Sequence, residues 1–213
     1  MVSYSQLSEL CHQELEVRHQ AREEALKHAR WLTRHSAQAI RAIHRSENDL
    51  AQKELRQAEE LLEKIKSNLT PFPDLYFSGY TQDAIKEYVE ARLTYALIMD
   101  QAIPMPEEIG VEVSTYLRGM AETPGELRRR CLDILRKGYS DEAERLLTHM
   151  DEIYAVMVTM DYPDAITNGL RHQTDQLRGI IERTRADLTM SLREHHLQQA
   201  LRNFEKKLPN NQT

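Results

Sequence analysis

The stretch ALKHARWLTRHSAQAIRAIHR, residues 25–45, decides the fold. Ala25, Ala29, Leu32, Ala39 and Ile43 recur in steps of three, four and seven, which keeps them on one face of an α-helix. The pattern extends in both directions. Residues 4–67 contain neither Gly nor Pro, and Leu50, Leu55, Leu61, Leu62, Ile65 and Leu69 continue an apolar repeat of the same kind. This predicts one very long helix or two nearly continuous ones. The segment LTPFPD, residues 69–74, with Gly79 behind it, is the first clear break.

Further helices follow. One is expected over 81–102, with Ile85, Val89, Leu93 and Ala96 on its buried stripe and Pro104 and Pro106 ending it. Residues 107–136 are helical in pattern but contain Pro124, whose ring nitrogen cannot donate to the carbonyl of Met120, so a kink is expected there. The run KGYSD, residues 137–141, reads as a helix stop followed by Ser140 as N-cap. The next helix is expected over 141–160 and stops at DYPD, residues 161–164. A last long one is expected over 165–204, and the tail 208–213 should be disordered. The fold class is therefore all-α, a bundle of long helices in a single domain over 1–213.

Composition agrees. The 213 residues are 40% apolar and 29% charged, so each element must be amphipathic rather than wholly buried. Seven Gly and seven Pro supply too few turns for a β-sandwich. Cys11 and Cys131 make neither a disulfide framework nor a zinc site, which needs about four ligands. No basic segment followed by an apolar run opens the chain, and the apolar stretch 93–99 is far below the roughly 20 residues that span a bilayer. A cytoplasmic protein with no membrane partner is expected.

Most catalytic signatures are missing. There is no Gly-x-Ser-x-Gly, no phosphate loop and no dinucleotide fingerprint. A di-iron bundle needs Glu-x-x-His on each of two helices, and Glu16 to His19 supplies it on the first helix only. Two constellations remain. Residues 18–45 hold seven Lys and Arg against Glu23 and Glu24, a local +5 in a chain whose formal charge is −6. Lys27, Arg30, Arg34, Arg41 and Arg45 share one helix face. A phosphate backbone favours such a stripe because each neutralised phosphate releases counterions. A solvated face pairing with acidic neighbours would look the same.

The second constellation is acidic. Glu87 and Glu90 are three apart, and Glu122 and Glu126 four apart, so on helices each pair projects from one face. Two such pairs on facing helices would form an all-oxygen cluster suited to Mg²⁺ or Mn²⁺. A chain with 34 acids also produces such pairs by chance. Thr123-Pro124-Gly125-Glu126 can equally be read as a capping box with Pro at the first helical position.

At these residues the sequence resembles the translin family, and within it the translin-associated factor X (TRAX) type. IKEYVEA, residues 85–91, is similar to the family's acidic helix segment, in which two glutamates three apart help hold a metal ion. YLRGMAETPGEL, residues 116–127, resembles the family's Tyr-Leu-x-Gly-x-x-Asp-x-x-Gly-Glu-Leu pattern, with Glu122 where aspartate is usual. The basic first helix resembles the family's long first helix, and the likeness spans nearly the whole chain, which has the small size of prokaryotic and archaeal members. The resemblance implies a translin-like all-α fold assembling into a closed shell, an octamer of one chain type, around single-stranded RNA or possibly single-stranded DNA. It implies a Mg²⁺-dependent endoribonuclease, with Glu87, Glu90, Glu122 and Glu126 as the catalytic metal-binding set, Mn²⁺ being an alternative ion. The basic stripe would then grip RNA. The competing expectation is a translin-like shell that binds single-stranded nucleic acid without cutting. A third is a structural bundle in which Leu55, Leu62 and Leu69 form a heptad seam.

Overall fold

The computed structural model describes residues 3–206, and among these every regular element is helical. The expected tail 208–213 lies outside the described residues. Two compact units make up the chain, residues 1–96 with 103–119, and residues 97–102 with 120–213.

The first unit is built on a hairpin of α1 (Tyr4–His44) and α2 (Asn48–Leu69). Residues 4–67 thus form two nearly continuous helices rather than one, and the chain reverses between them at Ser46. Ser46 has φ 59°, its N–H donates to the carbonyl of Ile43 at 3.0 Å, and Glu47 N–H donates to Ala42 at 2.9 Å. That bond pair is a Schellman stop, which usually takes Gly at the left-handed position. Ser46 fills it here, so glycine and proline counting misses the reversal. The helices run antiparallel: His35 bonds Glu54, and Asn68 reaches back to Glu24.

Alanines set the closeness of this hairpin. Ala25, Ala29, Ala39, Ala51 and Ala58 are buried, interleaved with Leu32, Leu55, Leu62 and Ile65. Each of the larger side chains contributes about 1.5–3 kcal/mol by leaving water. The first turns of α1 have no such cover. Tyr4, Leu7, Leu10, Leu15 and Val17 are all exposed.

Three further helices and the start of a fourth complete this unit. The break after α2 holds a short helix, α3 (Pro73–Tyr76), with Pro at its start. Helix α4 (Gly79–Ile98) lies close to the expected span and buries Ile85, Tyr88, Val89 and Leu93. The expected helix 107–136 divides. A single turn, α5 (Pro106–Ile109), ends at Gly110 with φ 72°, and α6 (Val113–Leu135) follows. Helix α6 continues unbroken through Pro124, so no helix begins at Thr123 and the capping-box reading of Glu126 is incorrect. Thr123 and Pro124 are both buried, and packing there outweighs the lost backbone donor.

The second unit contains the C-terminal part of α6, α7 (Asp141–Met157), a single-turn α8 (Asp164–Thr167) and α9 (Leu170–Glu205). Ser140 caps α7, its hydroxyl accepting from Glu142 N–H at 3.2 Å, as its sequence position implied. The last expected helix is broken at Asn168 and Gly169, whose φ values of 52° and 86° separate α8 from α9. Leu127, Cys131, Leu146, Met150, Leu177 and Leu188 form the core. Burial pushes the Cys131 thiol up to about 11, so it behaves as a small apolar side chain. No helix among the described residues is long and apolar enough to cross a membrane.

Candidate functional site

The acidic site begins with a residue that has no side chain. A Cβ on Gly119 of α6 would lie 2.7 Å from Val89 Cβ and 2.8 Å from the Lys86 carbonyl oxygen of α4. Real Cβ atoms do not come so near, so only glycine lets α6 cross α4 at this distance. Glu87 and Glu90 flank Val89, and Glu122 lies one helical turn beyond Gly119. One oxygen from each of Glu87, Glu90 and Glu122 lies within 4.8 Å of the others.

That spacing fits a hard divalent cation. Oxygens about 2.1 Å from Mg²⁺ stand about 3.0 Å apart when adjacent and about 4.2 Å when opposite. A Mn²⁺ ion would suit the same oxygen-only donor set. Burial adds to the fit, because Glu90 is only 9% exposed and clustered carboxylates out of bulk water repel unless a cation or donor lies among them. Lys86 supplies one positive charge, its Nζ 3.2 Å from Glu87 Oε1.

Glu126, the fourth residue of the expected set, is not among the three clustered acids. Its Oε2 lies 3.7 Å from Arg129 Nη1, one turn along α6. A residue that sequence reasoning missed stands beside Glu122 instead. Gln173 of α9 donates from Nε2 to Glu122 Oε1 at 3.3 Å. The Oε1 of the same amide is buried and has no hydrogen-bond partner. Leaving such an acceptor unpaired costs about 1–3 kcal/mol. No motif announces Gln173, because its partner is 51 residues away in sequence.

The basic stripe is also accessible. Lys27, Arg30, Arg34, Arg41 and Arg45 are all exposed, on the face of α1 opposite buried Ala25, Ala29, Leu32 and Ile43. Trp31 borders the stripe at 41% exposure, with the Arg34 guanidinium 5.0 Å from its ring centroid. The indole stacks on His35, whose Nδ1 is 2.6 Å from Glu54 Oε2. By contrast, Arg128 and Arg130 are engaged internally. Arg128 pairs with Asp187 at 2.8 Å, and Arg130 with Glu142 at 2.9 Å.

An all-α chain with a carboxylate trio at a helix crossing and a cationic helix face defines the class, and the relatives define the family. No family model matches the chain. Over 181 residues it is 35% identical to the uncharacterized protein MJ0175 of Methanocaldococcus jannaschii, covering 82% of this chain and 80% of that one. It is also similar to the crystal structure of AfC3PO, with a TM-score of 0.80 and 37% identity over 86% of this chain and 95% of that one. The structure of AfC3PO in complex with duplex RNA matches at a TM-score of 0.79, with the same identity and coverage. Apo-NeC3PO shares the fold, with a TM-score of 0.79 at 22% identity over 90% of this chain and 98% of that one. The chain belongs to the translin/TRAX-type C3PO family.

Two glycines of α6 test the crossing. Gly119→Ala should lose about 1–3 kcal/mol of stability, the usual cost of overpacking. Gly125→Ala, with nothing within 4 Å of its added Cβ, should gain about 1 kcal/mol from helix propensity. Urea unfolding of both variants measures this. A Gly119→Ala protein as stable as the parent would show that the helices do not approach so closely.

Proposed function

We propose that this chain is a metal-dependent endoribonuclease that cuts single-stranded RNA within an oligomeric shell. The observation that carries the proposal is the convergence of Glu87, Glu90 and Glu122 within 4.8 Å. Their all-oxygen chemistry favours Mg²⁺, with Mn²⁺ as the alternative. Binding to RNA is supported by the relative AfC3PO, whose structure with duplex RNA shares 37% identity with this chain. Assembly is supported by apolar stripes left open on both terminal helices. Tyr4, Leu7 and Leu15 line one on α1, and Met190, Leu197, Leu201 and Phe204 line another on α9. Apolar surface of this extent in a polar chain marks a protein contact, and an octamer of one chain type fits the family.

In this reading, Glu90 and Glu122 hold the ion and Glu87 completes the set. The bound cation would polarise a non-bridging phosphate oxygen and lower the pKa of the attacking water. Glu87, with its side chain 33% exposed, is more accessible than Glu90, and its carboxylate would take the proton from that water. Lys86 offsets part of the acidic charge, which eases approach of an anionic substrate. The α1 stripe, with Lys27, Arg30, Arg34, Arg41 and Arg45, would hold the RNA backbone. The position of Glu126 favours a second reading, a non-catalytic RNA-binding shell, since it leaves three clustered acids rather than four.

Cleavage of a labelled single-stranded RNA decides between the two. The parent should cut with Mg²⁺ and stop with EDTA. Glu90→Gln and Glu122→Gln should each lose at least about 100-fold in rate while retaining RNA affinity, as removal of a ligand from a metal site does. Glu126→Gln should retain more activity than either. A parent that binds RNA but never cuts with Mg²⁺ or Mn²⁺ would replace the nuclease with the binding shell.

Affinity itself is tested on the stripe. Charge reversal of Arg30, Arg34 and Arg41 together should weaken RNA binding and reduce its salt slope by about 0.7 per lost phosphate contact with a single strand. Fluorescence anisotropy across a salt series measures both. Unchanged affinity and slope would mean that the stripe is only solvated.

A further inference from the structure

We infer that Gln173 is a positioning residue for the metal site, fixing the carboxylate of Glu122 through its side-chain amide; the inference rests on the metal-site reading above. Gln173 is half-buried, one turn along α9 from each of Leu170 and Leu177, which are 1% and 0% exposed. An apolar residue would ordinarily stand at such a position, because a buried amide is costly unless its hydrogen bonds are met. Only one end of this amide is satisfied within the fold. Nε2 donates to Glu122 Oε1 at 3.3 Å, and Oε1 is buried without a partner. A glutamine held only for packing would be better replaced by leucine or methionine.

The chemistry of the site gives both ends of the amide a use. A carboxylate has two oxygens and can rotate about its last bond, so a single ligand carboxylate samples several orientations unless a donor fixes one oxygen. The bond from Nε2 of Gln173 to Oε1 would help fix the Glu122 carboxylate in the orientation that meets the ion. The orphaned Oε1 suits a hydrogen from the ion's inner hydration shell, since Mg²⁺ keeps several waters when bound by few carboxylates. Outer partners of this type typically change metal affinity or activity 10–100-fold when removed. Gln173 touches neither the RNA nor the reacting atoms in this account, and acts entirely through Glu122 and the hydration of the ion.

The test uses the full chain, stripped of metal with EDTA and then dialysed, and reads Mn²⁺ binding by electron paramagnetic resonance of the free ion. The variants are Gln173→Leu, Gln173→Met and Glu122→Gln. Gln173→Leu should weaken Mn²⁺ binding at least about ten-fold. It should raise the Mg²⁺ concentration for half-maximal RNA cleavage by a similar factor. The maximal rate at saturating Mg²⁺ should stay near that of the parent, and the melting temperature in EDTA should not fall, since the variant also removes an unpaired buried acceptor. A merely structural role lowers the melting temperature and leaves the metal midpoints in place, and that pattern would overturn the inference. Gln173→Met, which keeps length and removes both polar atoms, serves if the leucine variant does not fold. Weakened Mn²⁺ binding in Glu122→Gln together with parental binding in the Gln173 variants would overturn the positioning role and leave the metal site standing. Parental Mn²⁺ binding in Glu122→Gln as well would remove the metal-site reading, and this inference with it.

Discussion

The close crossing of α4 and α6 at Gly119 is the constraint on which the site depends. With a Cβ there, the helices would have to separate until Val89 and the Lys86 carbonyl cleared it. Glu87 and Glu90 are carried on α4 beside Val89, so any such separation displaces both carboxylates. A shift of one ångström matters little to hydrophobic burial. It matters greatly to an ion that holds its oxygens at about 2.0–2.1 Å. The missing side chain therefore sets the geometry of the charged ones around it.

Charge is distributed to match this arrangement. The chain carries −6 overall, yet the exposed face of α1 is cationic from Lys27 to Arg45. Internal acids pair with Arg128 and Arg130, which removes those cations from any role in grasping a polyanion. The cations of α1 instead lie opposite its buried alanines, where α2 does not cover them. A surface of this kind attracts a phosphate backbone locally, whatever the sign of the whole molecule. The adjacent Trp31 and Arg34 add a rigid aromatic–guanidinium pair to the same face.

Much of the fold was legible because helix periodicity is a strong signal over long segments. The faces of α1, α2 and α4 follow from Ala25, Leu32, Leu62 and Val89, all of which are buried. The reversal at Ser46 was not legible, since a left-handed serine looks like any other serine in sequence. Pro124 does not end the helix: its surroundings are buried and α6 runs through it as one element. In the site, local spacing paired Glu87 with Glu90 and Glu122 with Glu126, and family resemblance joined the two pairs into one set. Glu126 is not among the three clustered acids, and its carboxylate lies 3.7 Å from Arg129. Gln173 carried no signal at all, since its role depends on a contact between helices distant in the chain.

The central claim is that Glu87, Glu90 and Glu122 share one divalent cation. Crystals grown with Mn²⁺ and measured for anomalous scattering of manganese test it most directly. The account predicts one anomalous peak per chain, about 2.2 Å from a carboxylate oxygen of each of the three residues. A peak elsewhere, or no peak at saturating Mn²⁺ with the three carboxylates ordered, would contradict it.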